Sequence, residues 1–159
     1  MPRWLKSLWK AECGAALVES AIVIPVFLTL VGGVYEFGFF LYQQQLAVSG
    51  VRDAARYLAL TTNPTDASNQ GDARNLAVTG SIAGGRPRVP GWTTSDVSIA
   101  VSTVSYSAGT YSGGSAVQIV TVSTSFVGPS LGFFGLLGLN QPTISLSHQE
   151  RFVGGPPPG

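Results

Sequence analysis

The chain has 159 residues, about the length of one domain, with 45% apolar and 11% charged residues, whereas soluble proteins carry about a quarter charged. Nine Lys and Arg against eight Asp and Glu leave a net charge of +1, which provides no broad basic surface and argues against a nucleic-acid partner. A chain largely in contact with lipid or with like partners fits this composition better than a soluble globule or a charge-rich disordered segment.

The chain opens with a basic leader, 1–14, in which Arg3, Lys6 and Lys10 stand against Glu12. Trp4, Leu5, Leu8 and Trp9 have the spacing to lie in a headgroup region; the alternative is a short disordered tail. From Cys13 to Val51 the only charged residues are Glu19 and Glu36. As a helix, residues 15–42 extend about 40 Å, against about 30 Å of hydrocarbon, so membrane lipid is an expected partner. A secretory signal peptide is the rival, but the apolar run is too long for one and the following Gln43-Gln44-Gln45 offers no small-x-small cleavage site. The nearer positive charge is N-terminal, so the N-terminus should stay cytoplasmic and the C-terminal domain should be extracytoplasmic, in a single pass.

Glu19 and Glu36 lie about 26 Å apart along a helix axis, near opposite edges of the hydrocarbon, where an acid is tolerable. Tyr35, Phe37, Phe39, Phe40 and Tyr42 surround Glu36 as an aromatic belt at the membrane interface. Glu36 therefore reads first as an interfacial acid beside that belt, and second as a functional or partner-paired group. Beyond it, Leu46, Ala47, Val51, Ala54, Ala55 and Leu58 recur at helical spacing, with Gln45, Ser49, Arg52, Asp53 and Arg56 on the other face. The helix is expected to continue over 43–60 and to pack this stripe on a downstream domain.

The run Cys13-Gly14-Ala15-Ala16-Leu17-Val18-Glu19 puts a Gly after a basic leader, then four apolar residues, then an acid. It looks like the processing site of type IV pilin-like proteins, cut after the Gly so that the acid becomes fifth in the mature chain. A Gly there gives an extended, accessible backbone, and an acid suits a helix N-terminus. From Gly14 to Ala59 the sequence resembles the TadE-like family of tight-adherence (Flp-type) pilus assembly proteins. The matching features are Val18-Glu19, Pro25 within the apolar run, Glu36-Phe37-Gly38, and Arg52-Asp53-Ala54-Ala55-Arg56; Ser20 departs from the aromatic more usual after the acid. The resemblance implies peptidase cleavage between Gly14 and Ala15, an assembly role for Glu19, and residence in the inner membrane or the pilus. It also implies partners: a prepilin peptidase, other TadE-like or TadG-like subunits, the major pilin and the pilus assembly platform.

Asn63-Pro64 should stop the long helix. In the linker 61–91, Asp72 to Thr79 reads as a second helix, with Ala73, Leu76 and Ala77 inward and Gly80 at its end. Strands are expected over Val97–Tyr106, Ala116–Phe126 and Thr143–Phe152, as an antiparallel meander within 92–153. In the first, Val97, Ile99 and Val101 alternate with Ser98, Ala100 and Ser102; in the second the phase shifts around Val120-Thr121. Ser107–Ser115 reads as a hairpin loop and 154–159 as an extended Gly/Pro tail. The apolar nonapeptide Leu131–Leu139, too short to span a membrane, reads first as a cover for the sheet core and otherwise as a segment dipping into lipid or a partner. The expected fold is α+β and membrane-anchored: a long N-terminal transmembrane helix continuing into a small pilin-like head with an antiparallel β-meander.

One His, His148, and one Cys, Cys13, fall short of a zinc ligand set. There is no phosphate-binding glycine motif and no cluster of acid, base and nucleophile, so neither catalysis nor a cofactor is expected. Cys13 follows Lys10-Ala11-Glu12 rather than an apolar signal region, which argues against lipid attachment. A pseudopilin or minor pilin is the leading expectation. The alternative is a membrane-tethered extracytoplasmic module that binds surfaces or carbohydrate through its Tyr- and Ser/Thr-rich loops.

Overall fold

The computed structural model describes residues 12–105 and 116–154. The leader's Trp and basic side chains, the 107–115 loop and the tail from 155 onward lie outside the described residues. Helix α1, Glu12–Leu60, is a single helix of 49 residues that carries Pro25 internally. Its Gly14–Leu60 portion is long and apolar enough to cross a membrane. Pro25 lacks the N–H for an intrahelical bond, an interruption that membrane helices tolerate, and Thr29 Oγ1 donates to the Pro25 carbonyl at 2.8 Å.

One feature of the helix differs from expectation: Gly14 and Ala15 are helical, so the backbone there is not extended. A single Gly costs only about 1 kcal/mol in a helix, and the Ala15-Ala16-Leu17 that follows consists of the strongest helix formers. At the other end, α1 stops at Leu60, as Asn63-Pro64 suggests. Its last carbonyls find partners from elsewhere in the chain. Val153 and Gly154 donate their N–H groups to the Ala59 carbonyl at 3.0 and 2.9 Å, and Thr61 Oγ1 donates to Leu58 at 2.9 Å.

Helix α2, Ala67–Thr79, begins five residues before the expected Asp72. Asp66 caps it by accepting the Ser68 N–H, and Gly80 ends it in the left-handed region at φ 80°, donating to the Leu76 carbonyl. Ala73, Ala77 and Val78 are its buried residues, while Leu76 is only partly buried. The α1 residues that face inward, Ala47, Gly50, Val51, Ala54, Ala55 and Leu58, include most of the stripe read from the sequence. Gly50 lets the two helices touch at the backbone: a Cβ there would collide with the Ala77 carbonyl and come within 2.9 Å of the Trp92 ring. Tyr57 donates its hydroxyl to Asp72 at 3.3 Å across the same helix pair. Burial, then the Asp72 charge and hydrogen bond, raise the phenol's pKa above its ordinary value. Arg88 clamps the outside, pairing with Asp53 at 2.7 Å and donating its backbone N–H to Val78 at 2.7 Å.

Strands β1 (Val97–Ser105), β2 (Ala116–Phe126) and β3 (Ile144–Arg151) form one antiparallel sheet in the order β1-β2-β3. The meander is the expected one, and the phase of β2 is now fixed: Val120, Val122, Thr124 and Phe126 are buried. The register aligns Val97, Thr124 and Leu146 in one row of that face and Ile99, Val122 and His148 in the next. Thr124 occupies an inward position because its hydroxyl accepts from Trp92 Nε1 at 2.9 Å and donates to the Asp96 carbonyl at 2.9 Å. Trp92 stacks on Phe126 with ring centroids 5.1 Å apart, and with Val89 it closes the core between α1 and the sheet. The opposite face carries Ser98, Ser123 and Ser147 in register.

Because Gly50 sits where two backbones meet, Gly50→Val should destabilise the head by about 1–3 kcal/mol through overpacking. A thermal melt of the full chain in detergent should show a lowered Tm, whereas Arg52→Ala, at an exposed position, should leave it unchanged.

Candidate functional site

From Gly14 to Val31 the side chains of α1 are exposed, with Thr29 partly covered. Protein cover begins at Gly32 and runs down one face through Glu36, Gln43, Ala47 and Val51. These positions are spaced by four, seven, four and four residues, which keeps them on a single helical stripe. What covers the upper part of the stripe is the segment after β2. Phe133 lies against Gly32, where a Cβ would strike the ring, and Leu137 approaches Gly33. The segment makes a short helix, α3 (Phe133–Leu136), preceded by Gly132 at φ 100°.

Glu36 is 2% exposed. Its Oε1 accepts from the Ser130 hydroxyl and from the N–H groups of Leu131 at 3.1 Å and Gly132 at 3.3 Å; Oε2 accepts from the Phe134 N–H at 2.7 Å. Both carboxylate oxygens are thus used to hold the loop on the helix. Two turns further along, Gln43 is 3% exposed and donates from Nε2 to the Pro129 carbonyl at 3.0 Å, while its Oε1 rests against Gly128 with no hydrogen-bond partner among the described residues. Gln141 donates to the Gly128 carbonyl and closes the other side of the loop.

The expectation for Leu131–Leu139 is corrected by this geometry. The nonapeptide does not cover the sheet core, which Trp92, Val89 and Phe126 already close. It lies on α1 instead, because Gly32 leaves a slot for Phe133, with Leu137 in contact beside Gly33, and Glu36 supplies acceptors for its backbone. Glu36, for its part, has partners within the chain and is not simply an acid among aromatics. Of the belt around it, Tyr35, Phe37 and Tyr42 are exposed, whereas Phe39 is partly buried and Phe40 packs against the head's core. Phe37 and Phe40 face each other at 6.4 Å. Gly14, Ala15 and Glu19 lie on the bare part of the helix, and Glu19 has no hydrogen-bond or ion-pair partner among the described residues.

Residues 14–56 match the family model described as TadE-like protein. The resemblance read from Gly14 to Ala59 is borne out on that segment, which includes Glu19, Glu36 and Gln43 and none of the sheet. No curated protein and no solved structure gives a match. The TadE-like segment is therefore the helix that carries the head rather than the head itself. Gly32, Gln43 and the Glu36 donor Ser130 were not singled out by sequence reasoning, although the seven- and four-residue steps from Glu36 to Gln43 to Ala47 were visible there. Among the described residues, no three His, Cys, Asp or Glu side chains gather in a way that would hold a metal ion. His148 bonds Glu150 at 3.1 Å on the inward-facing side of β3.

Removing the Glu36 carboxylate leaves several donors without acceptors, each worth about 1–3 kcal/mol when buried. Glu36→Ala and Gly32→Leu should each lift the loop and open Phe133 and Phe134 to chymotrypsin in detergent. Val34→Leu, at an exposed position of the same helix turn, should leave the cleavage pattern unchanged.

Proposed function

We propose that this chain is a non-enzymatic pseudopilin or minor pilin that assists assembly of a tight-adherence pilus, anchored in the inner membrane with its N-terminus cytoplasmic and its head outside. The match to TadE-like proteins supports the general role in pilus assembly. The observation that carries the finer reading is the contrast between the two acids of α1. Glu36 is satisfied within the chain, and Glu19, on the bare half of an apolar helix, has no partner among the described residues. A carboxylate in such surroundings is favourable only when a partner charge or donor accompanies it.

Cleavage between Gly14 and Ala15 supplies that partner. The new amine on Ala15 of one subunit reaches the Glu19 carboxylate of a neighbour, and the pair sets the register between packed helices in a medium of low dielectric. The helical conformation at Gly14 means that a prepilin peptidase has to unwind the first turn, a step that the Gly eases. The subunits that pair in this way are other TadE-like or TadG-like proteins and the major pilin, gathered on the assembly platform.

N-terminal sequencing of the membrane-extracted protein from piliated cells should give a mature terminus at Ala15, and Gly14→Leu should leave the longer chain. Glu19→Ala should insert normally yet fail to restore piliation to a deletion strain. An intact leader in piliated cells would refute the processing step.

A further inference from the structure

With α1 across a bilayer, the loop that Glu36 holds falls at the depth of the hydrocarbon. A hydrocarbon layer of about 30 Å takes about 20 helical residues. If the layer begins at Ala15 it ends near Tyr35, and if it begins after Glu19 it ends near Phe40. In either case Gly32 and Gly33 lie within it, and so do Phe133 and Leu137, which pack on them. The surface that the loop turns outward is suited to this depth. Leu136 is 70% exposed and Leu139 55%, and the chain holds no Asp, Glu, Lys or Arg between Asp96 and Glu150.

The backbone of the loop carries a second, independent sign. Hydrocarbon offers no hydrogen-bond partners, so a non-helical segment within it needs its polar groups satisfied by protein. Glu36 takes the N–H groups of Leu131, Gly132 and Phe134. The N–H groups from Leu136 to Leu139 turn back to carbonyls between Gly132 and Gly135 at 2.8–3.1 Å.

We propose that Leu131–Leu139 is a wedge inserted among the acyl chains of the head-side leaflet, with lipid as its partner and Glu36 as the positioning residue that takes three of its backbone N–H groups. The head is then fixed to the bilayer at two places, by the span itself and by the wedge beside it, which limits its tilt and rotation about α1. This rests on α1 crossing the membrane and is independent of any role in a pilus.

The test uses the full chain in phospholipid vesicles, in a Cys13→Ser background, with an environment-sensitive fluorophore on single cysteines at Leu136, Val23 or Gln149. Quenchers are iodide in water and lipids carrying a nitroxide near either end of the acyl chain. The label at Leu136 should be quenched by the nitroxide near the glycerol end and lose iodide quenching, Val23 should respond to the nitroxide near the methyl end, and Gln149 to iodide alone. Glu36→Ala should return the Leu136 label to iodide and leave the other two unchanged. If Leu136 behaves as Gln149 does while Val23 stays in lipid, the wedge is wrong and the span stands. If Val23 is also open to iodide, the span fails and the wedge with it. Shielding of Leu136 from iodide and both nitroxides would mean that protein covers it, and would overturn lipid as its partner.

Discussion

In α1 the change from a bare helix to one covered by protein along one face begins at Gly32. Above this point the helix is bare; below it, one stripe carries Glu36, Gln43, Ala47, Val51, Ala54 and Leu58, all buried. The lower part of the stripe is apolar and small, so α2 and the sheet close on it as a hydrophobic core would. The upper part is polar and works differently. Glu36 and Gln43 hold the loop between β2 and β3 by its backbone, and Gly32 and Gly128 leave room for that approach. Both parts, with the Arg88–Asp53 pair and the Val153 and Gly154 bonds to the Ala59 carbonyl, fix the head on α1.

This division also explains why two acids in one apolar helix have different fates. Glu36 lies where the chain returns to the helix and finds four donors there. Glu19 lies where no part of the described chain returns, on the exposed half of the helix. The charge-free stretch from Val97 to Gln149 fits the same scheme. Its inward residues form the core, its outward serines line the far face of the sheet, and its Leu131–Leu139 segment is held against the span.

Much of this was legible from residue spacing. The stripe from Ala47 to Leu58 shows in its 3.6-residue period, the end of α1 in Asn63-Pro64, and the meander in strands of alternating Val, Ile, Ser and Thr. These are local signals. The features that sequence reasoning missed depend on contacts between residues far apart in the chain. Glu36 and Phe134 are separated by 98 positions, and nothing near Glu36 in the sequence announces donors that arrive after two strands. Trp92 follows Pro90-Gly91, and nothing beside it in the sequence announces Phe126 and Thr124 as its partners. The early start of α2 was hidden by Gly71, whose helical cost the Asp66 cap and the packing of Ala73 and Ala77 offset.

The central claim, that the Glu36 carboxylate fastens the loop to the helix, is tested most directly by amide hydrogen exchange on the full chain in lipid nanodiscs. The N–H groups of Leu131 and Phe134 should exchange slowly in the wild type and rapidly in Glu36→Ala, while those of Val120 and Val122 in the central strand stay protected in both. Rapid exchange at Leu131 and Phe134 in the wild type, or protection there that survives Glu36→Ala, would contradict the account.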